Sequence, residues 1–477
     1  MKAFARIRIH LTLTLTSALR ISSGQVAFLP HPKNEEKEIE YALVYRDVLG
    51  KPYLPSTSLR GLLRAAAQDI SDPEQQQTLN TLFGSANLDD SGNHSRIRVY
   101  DARAKTAHTR ITTHNKINPI TATAEDKLLF KSESVDPGTA FTLTIELDDV
   151  SEAEKLTIID LLLLFSETNP FQLGSGANKR LGEFTLNIDK IETLSQDDVY
   201  YWLQQKDCTE LPYQPADLPQ QTHATFKQQG LIKIPFSLYL KSPLLIAAES
   251  ERKTSNNEEA DPIKFKQRDG YPYIPASTLL GVFRSRCRHI ISSLALSQQE
   301  TDPEPATALK CLTETTDALI DSLFGNTQRK SYIAISEGSS DLPMSACTHK
   351  QSFNAIDRFT GEVKDSALFF AEACYGNCFN FNMHINSSAL QAQNNGALLI
   401  LFYALKDFTE GLIPLGWGAN KGFGQVHLTA PTTHQIEAID WSAMSRYLQT
   451  HQLDLEPKQL EQWQQQLSEQ LTATEEV

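Results

Sequence analysis

The chain has 477 residues, 40% of them apolar, and ordinary numbers of glycine and proline, a composition typical of a globular protein with two or three domains. Its formal net charge of −14 argues against a domain that binds nucleic acid through a uniformly basic face. No stretch has the ~18 consecutive apolar residues of a membrane helix, and residues 1–21 lack the apolar core of a signal peptide. The six cysteines are scattered without zinc-binding spacing, so we expect reduced thiols in a cytoplasmic protein.

The charge is unevenly distributed along the chain. Residues 96–131 contain eight basic and three acidic residues, and residues 264–289 contain six basic residues and one acidic residue. Because salt screens charges beyond about 8–10 Å, contact with phosphate depends on such local excesses and not on the total charge. Binding to nucleic acid through local patches therefore stays open.

The first predicted element is a strand. Ala5–Leu15 alternates polar with aliphatic residues at the period of two that strands require. Residues 31–40 are polar and charged, which predicts a loop. Prolines and hydroxyl residues at 52–58 then predict a turn and the start of a helix over 59–70, on which Arg60 and Arg64 share one face.

Three motifs occur twice in the same order, which indicates a tandem duplication. Tyr53-Leu54-Pro55 with its flanks returns as Tyr273-Ile274-Pro275, and Leu82-Phe83-Gly84 returns as Leu323-Phe324-Gly325. The pattern Leu-Gly-x-Gly-Ala-Asn-Lys-x-x-Gly occurs at 173–182 and again at 415–424. A period of about 240 residues corresponds to two whole domains and not to a solenoid.

The glycine-rich pattern follows an apolar run of helical length and precedes a strand-like run in both copies. Glycine permits positive φ and the close approach of another backbone, and the lysine adds a charge to the turn. The candidate residues of these loops are Gly174, Gly176, Lys179, Gly416, Gly418 and Lys421. A helix C-cap without a ligand would also explain the glycines, but the shared Ala-Asn-Lys is not required by turn geometry and favours a functional loop.

Each copy has the order strand, loop, helix, inserted segment, strands, helix, glycine-rich turn and strand. This order predicts an α+β protein built from two tandem ferredoxin-like domains of the same plan as an RNA-recognition module. The expected boundaries are 1–204 for the first domain, 205–230 for a linker, 231–435 for the second domain and 436–477 for a helical tail. The tail is either an amphipathic helix that docks on the second domain or a solvated end.

The inserted segments around 114–124 and 349–363 precede strands and predict projecting hairpins. Such an arm can insert an apolar tip into a nucleic-acid strand. A surface hairpin with a small core of its own is the alternative.

Together, the Pro-Tyr-(Leu/Ile)-Pro phrase, Ile-Asp-Arg-x-Thr-Gly at 356–361 and the glycine-rich loops resemble the RAMP superfamily of CRISPR systems. The likeness is greatest to backbone subunits of type III effector complexes, here two fused in one chain as in type III-D-like subunits. The second copy matches better, because the first has Pro-Ile-Thr-Ala-Thr at 119–123 in place of the Asp-Arg-x-Thr-Gly motif.

The resemblance implies that the chain binds a guide RNA (crRNA) and target RNA, and assembles with a large polymerase-like subunit, other RAMP backbone subunits and small subunits. It implies that thumb hairpins kink the guide–target duplex, and that an aspartate before the first helix cleaves target RNA with Mg²⁺ or Mn²⁺. That catalytic residue and metal ligand is expected to be Asp261 in the second copy, and the first copy has Glu40 beside the corresponding position, Tyr41. The candidates for contact with RNA phosphates are Arg60, Arg64, Lys179, Arg284, Arg286, Arg288 and Lys421. The candidate thumb residues are His114, Lys116, Asn118, Ile120, Asn354, Ile356, Asp357, Arg358 and Thr360.

The sequence leaves two alternative functions open and disfavours a third. The chain is a purely structural, non-catalytic crRNA scaffold if Asp261 does not cleave. It is a stand-alone crRNA-processing endoribonuclease if His94, His108 or His114 acts as a general base. A dinucleotide-binding loop at Gly416-x-Gly418 is disfavoured, because such a loop follows a strand and precedes a helix, and the order here is reversed.

Overall fold

The computed structural model describes residues 3–31, 34–84, 94–117, 124–167, 171–204, 210–218, 224–226, 231–248, 263–297, 316–326, 328–363, 368–386, 395–429 and 457–472. The chain divides into two compact units. The first consists of Met1–Lys116 with Asp126–Gln229, and the main part of the second is Gly230–Val477. Each unit has its own apolar core.

The first unit contains eleven described strands and four described α-helices. The strands are β1 (Ala3–Leu15), β2 (Ser22–His31), β3 (Asn34–Val44), β4 (Tyr53–Leu54), β5 (Ile97–Val99), β6 (Ala102–Ala104), β7 (Thr109–Ile117), β8 (Ala124–Val135), β9 (Ala140–Ser151), β10 (Phe184–Ser195) and β11 (Gln214–Ala216). The helices are α1 (Ser56–Gln68), α2 (Pro73–Phe83), α3 (Glu152–Glu167) and α4 (Gln196–Leu203).

The central sheet of this unit has strand β1 in its middle, paired antiparallel with β10 on one side and β9 on the other. Strands β5 and β6 both pair with β9. The sheet order β10-β1-β9-β6 corresponds to strands four, one, three and two of the ferredoxin-like βαββαβ unit. The predicted fold class is therefore confirmed. The period-two pattern of β1 buries Ile7, Ile9 and Leu11 in the core.

The loop predicted over 31–40 is wrong, because these polar residues belong largely to a β-hairpin. Strand β2 runs to His31, and β3 begins at Asn34 and pairs with it antiparallel. Strand β3 also pairs in parallel with β8, which completes a four-stranded sheet in the order β2-β3-β8-β7. Charged residues tolerate this position because the exposed strand face needs no apolar side chains.

The second unit repeats the plan. Its strands are β12 (Leu231–Leu240), β13 (Gln267–Arg268), β14 (Tyr271–Ile274), β15 (Ile333–Ile335), β16 (Gly338–Ser340), β17 (Thr348–Phe353), β18 (Phe369–Cys374), β19 (Cys378–Asn386) and β20 (Val426–Thr429). Its helices are α5 (Ala276–Ser297), α6 (Met344–Cys347), α7 (Asn395–Thr409) and α8 (Pro457–Thr472), and residues 316–324 are also helical. Strand β12 lies between β20 and β19, and β15 and β16 pair with β19, which gives the same strand order as in the first unit.

Parts of the expected linker and tail pack onto the units. Strand β11 extends the first sheet beyond β10, and Phe226 is buried with its ring centre 5.2 Å from that of Phe171. In the tail, Leu467 of α8 is buried against Gly396 of α7. Helix α8 therefore docks on the second unit, as in the first of the two alternatives drawn from its sequence.

Candidate nucleic-acid interface

The glycine-rich loop of the first unit folds over the chain that follows strand β1. The backbone N–H of Leu173 donates to the Gly182 carbonyl at 2.9 Å and closes the loop. The Ser175 N–H then donates to the Arg20 carbonyl at 2.8 Å, and the Gly182 N–H donates to the Ala18 carbonyl at 2.8 Å. Between these contacts, Ala177–Lys179 forms one turn of 3₁₀ helix.

The loop of the second unit makes the same bonds. Leu415 donates to Gly424 at 2.9 Å, Trp417 donates to Leu245 at 2.8 Å, and Gly424 donates to Pro243 at 2.7 Å. Ala419–Lys421 forms the matching 3₁₀ turn. The shared Ala-Asn-Lys sequence is therefore a short helix that presents a lysine at the same place in both units.

Most of the repeated glycines are required by this docking. Gly174 and Gly416 have φ of +73° and +76°, and a Cβ at either would collide with the carbonyl of Arg20 or Leu245. Gly176 and Gly418, at +91° and +84°, begin the 3₁₀ turns. The close approach that these glycines permit is thus to the chain itself.

Lys179 is half-buried in the first loop and lies near a second cation. Burial first, and then the positive charge of Arg20, lower the pKa of Lys179. Burial also lowers the pKa of Arg20. The Arg20 guanidinium carbon lies 5.8 Å from the centre of the Phe130 ring, which stacks on His114 at 4.9 Å.

Lys421 occupies a different environment in the second loop. Its ammonium nitrogen lies 4.3 Å from the centre of the Trp417 ring and 5.2 Å from the centres of both Phe353 and Phe369. Phe353 and Phe369 come from paired positions of β17 and β18 and stack at 5.1 Å. Ring faces attract a cation, so this cluster holds the lysine beside the last pair of the β17–β18 ladder before the hairpin tip.

The tip of that hairpin is a tight turn built by the Asp-Arg-x-Thr-Gly motif. The Asp357 carboxylate accepts backbone N–H bonds from Phe359 at 2.8 Å and Thr360 at 3.2 Å, and these bonds lower the pKa of Asp357. The turn leaves Phe359 fully exposed and Ile356 64% exposed. The motif therefore makes a rigid tip that carries apolar side chains.

The remaining thumb candidates lie close by or outside the described residues. Asn354 and Arg358 are exposed beside the tip. In the first unit, His114 lies on β7 and contacts the Ser132 hydroxyl at 3.1 Å, and Lys116 belongs to the same strand. Asn118 and Ile120 lie outside the described residues.

The family comparison agrees with this duplicated architecture. The family model of the RAMP superfamily matches residues 12–185 and 237–427, which are the two ferredoxin-like units. The chain belongs to the RAMP superfamily. Membership makes it a CRISPR-associated RNA-binding protein. No curated protein sequence matches the chain. None of the helices in the described ranges is long and apolar enough to span a membrane.

The arginines predicted to contact RNA in the two RAMP units have partners within the chain. Arg60 and Arg64 donate to the carbonyls of Phe83 and Gly84 at 2.7 and 2.8 Å. The equivalent helix α5 uses ion pairs instead: Arg284 with Asp321 at 3.2 Å, Arg286 with Asp407 at 2.6 Å, and Arg288 with Asp317. Arg284 and Arg288 thus hold α5 to the segment that ends in Leu-Phe-Gly, as Arg60 and Arg64 hold α1 to its counterpart, whereas Arg286 holds α5 to α7. These contacts explain the repeated arginines structurally.

The two carboxylates expected to cleave RNA occupy equivalent positions in the chain. Ala42 pairs in parallel with Ser132 in the first RAMP unit, and Ile263 pairs in parallel with Ala371 in the second. Glu40 precedes Ala42 by two residues, and Asp261 precedes Ile263 by two. The expectation that Tyr41 corresponds to Asp261 is therefore wrong by one residue, and Glu40 is the counterpart in the chain. Glu40 is exposed on β3, opposite Phe28. Asp261 lies outside the described residues.

The described residues do not assemble a metal site. No group of three or more histidine, cysteine, aspartate or glutamate side chains with metal-binding geometry occurs among them. Glu40 alone is one exposed carboxylate, whereas Mg²⁺ needs several oxygen ligands in octahedral geometry. These residues therefore do not by themselves fit the divalent ion that the resemblance implies.

The open face of the first RAMP sheet carries a network of charges that the sequence did not reveal. A groove of about 620 Å³ is lined there by Arg8, His10, Tyr100 and Glu146 among others. Glu146 accepts from Arg8 at 2.8 Å and from Tyr100 at 2.8 Å, and His10 contacts Glu192 at 3.0 Å. Because Arg8 and Glu146 neutralise each other, this face is less suited to phosphate than the loop region.

The structure also adds residues near the loops that the sequence did not single out. Arg20 lies near Lys179, Phe353 and Trp417 contact Lys421, and Phe130 contacts Arg20. Trp417 lies within the glycine-rich pattern and could have been singled out from the sequence. Arg20 could not be identified from the repeated motifs, because the equivalent residue of the second copy is Leu245.

Proposed function

We propose that this RAMP protein is a backbone subunit of a type III CRISPR effector complex, which binds crRNA and target RNA and cleaves the target in its second unit. The observation that carries the proposal is the lysine-bearing glycine loop that both units repeat, which in the second unit lies against Phe353 and Phe369 of the β17–β18 hairpin. One such loop in each unit supplies one contact with an RNA backbone.

The glycine loops supply the sequence-independent part of binding. Their lysines project from short 3₁₀ turns, and no described carboxylate neutralises them. A lysine in such a position binds a backbone phosphate without reading the base. A guide RNA of any sequence is therefore accepted.

The β17–β18 hairpin supplies the thumb. Its rigid tip exposes Phe359 and Ile356, and an apolar side chain of this kind inserts between bases and unstacks them. Unstacking one base pair of the guide–target duplex turns the flanking phosphodiester outward, where it becomes accessible to cleavage.

The proposed cleavage residue is Asp261, with Glu40 as its counterpart in the first unit. The equivalence rests on the strand register given above. A carboxylate beside a turned-out phosphodiester would orient the attacking 2′-hydroxyl, and it would hold Mg²⁺ or Mn²⁺ only together with further oxygen ligands.

The test is to assemble the complex and map the cut positions on a labelled target RNA. We expect Asp261→Ala to abolish one regularly spaced cut and Glu40→Ala to abolish a second, if the first unit also cleaves. Asp269→Asn is the matched control, because Asp269 follows Asp261 by eight residues in the sequence and has a positive φ of +51° that asparagine tolerates.

Other outcomes favour the alternatives. Unchanged cutting by both carboxylate variants, with intact crRNA binding, would leave a non-catalytic scaffold. Cleavage of a repeat hairpin by the chain alone, lost in His114→Ala, would instead indicate crRNA processing. A complex that retains crRNA but excludes this chain would refute the proposal.

A further inference from the structure

The segments on which the two glycine loops dock differ at two positions, with Ala18 and Arg20 in the first unit and Pro243 and Leu245 in the second. Ser175 donates to the Arg20 carbonyl in the first unit, and Trp417 donates to the Leu245 carbonyl in the second. Arg20 and Leu245 are thus equivalent. The Leu245 side chain is buried in the core, whereas Arg20 is a half-buried cation.

Arg20 and Lys179 place two positive charges close together in a partly desolvated site. The Arg20 carbonyl accepts from the Ser175 N–H of the same loop at 2.8 Å, and the charge of Arg20 lowers the pKa of Lys179. Within the described ranges, no carboxylate forms an ion pair with either cation. Like charges held together in a medium of low dielectric repel each other, and an anion between them would remove that repulsion.

The acids in the same region are already paired. Glu183 pairs with Arg180, and Glu133 pairs with Arg46. Phe130, 48% exposed, forms one wall beside the Arg20 guanidinium. The site therefore has two unneutralised cations, an aromatic wall and an opening to solvent.

The second unit lacks this arrangement. It has one loop cation, Lys421, whose ammonium lies against the faces of Trp417, Phe353 and Phe369. The place of the second cation is taken by Leu245. The two loops therefore differ in their number of cations although their backbones are alike.

We propose that Arg20 and Lys179 together bind one phosphate group of an RNA strand, at a site that the second unit lacks. The proposal deepens the RNA-binding function proposed above and rests on it. A phosphodiester fits because its two non-bridging oxygens accept from a guanidinium fork and an ammonium at once.

The experiment measures dissociation constants of the full chain for a labelled single-stranded RNA over a series of salt concentrations. Replacing both cations, as Arg20→Leu with Lys179→Met, should reduce the slope of log K against log salt by about 0.7, the value for one phosphate on a single strand. The control Lys233→Met with Lys330→Met removes the same charge from exposed sites of the second unit. We expect that control to leave the slope unchanged.

The Arg20→Lys variant and RNA binding by the wild-type chain distinguish the possible outcomes. Arg20→Lys retains the charge and should keep the wild-type slope, which separates loss of the site from damage to the loop. A double variant with the wild-type slope, or a control that loses as much as the double variant, would overturn the phosphate site alone. Absence of RNA binding by the wild-type chain and its assembled complex would overturn the proposed function itself.

Discussion

Leu415 and Gly424 close the glycine loop of the second unit, with the Leu415 N–H donating to the Gly424 carbonyl at 2.9 Å. The two ends of the loop lie so close together that a Cβ on Gly424 would overlap the Leu415 carbonyl oxygen. Gly422, two residues earlier, also has a positive φ of +80° but has no atom within 4 Å of an added Cβ. Its counterpart in the first unit is Arg180, which adopts φ +52° with a full side chain.

This contrast predicts different costs for two alanine substitutions in one loop. Gly422→Ala should cost about 1 kcal/mol, the strain of a left-handed alanine. Gly424→Ala should cost more than about 3 kcal/mol, because the backbone must also move. Thermal or urea unfolding of the full chain measures both, and equal costs would show that the loop does not close as described.

The lowered pKa of Lys179 predicts that RNA binding takes up protons. In the free protein, burial and Arg20 lower this pKa from its ordinary value of 10.5, and a bound phosphate raises it again. In the alkaline range between the two values the complex holds more protons than the free chain, so affinity falls as pH rises. Titrations of RNA binding from neutral to alkaline pH measure this decline.

Lys179→Arg is the matched control for that experiment. Arginine keeps its proton throughout the range, so the pH dependence should flatten while binding at neutral pH persists. A pH profile that is identical in wild type and Lys179→Arg would assign the proton uptake to another group.

The buried carboxylate of Glu146 predicts acid sensitivity of the first unit. Burial would raise its pKa, but hydrogen bonds from Arg8 and Tyr100 outweigh burial and lower it. A lowered folded pKa gives stability that is present above the unfolded value of about 4.5 and is lost as pH falls through the folded value. Glu146→Gln should therefore lower the free energy of unfolding by about 1–3 kcal/mol at neutral pH, and the difference should shrink in acid.

Asp217→Asn provides the control for Glu146→Gln, because Asp217 is an exposed acid of the same unit. Its effect on the free energy of unfolding should be small at every pH. A Glu146→Gln difference that persists undiminished below the folded pKa would indicate a packing effect and not the loss of charge.

The fold followed from local patterns that short segments carry by themselves. The alternation of β1, the apolar runs that became α3 and α7, and the repeated motifs were sufficient for two ferredoxin-like units, since each depends on a period of two or 3.6 residues. The predicted loop over 31–40 failed because β3 is stabilised by its pairing with the preceding strand β2 and with β8, which is distant in sequence. Pairing of this kind overrides the local preference of polar residues for loops.

The sequence by itself determined the duplication, the strand order and the lysine at position 179 or 421 of each loop. Only the tertiary structure decided which charges are available. It paired the arginines of α1 and α5 within the chain, surrounded Lys421 with rings, and brought Arg20 to Lys179. The physical reason is that a side chain's partners are set by the packing of distant segments, whereas a motif specifies only the local backbone that presents it.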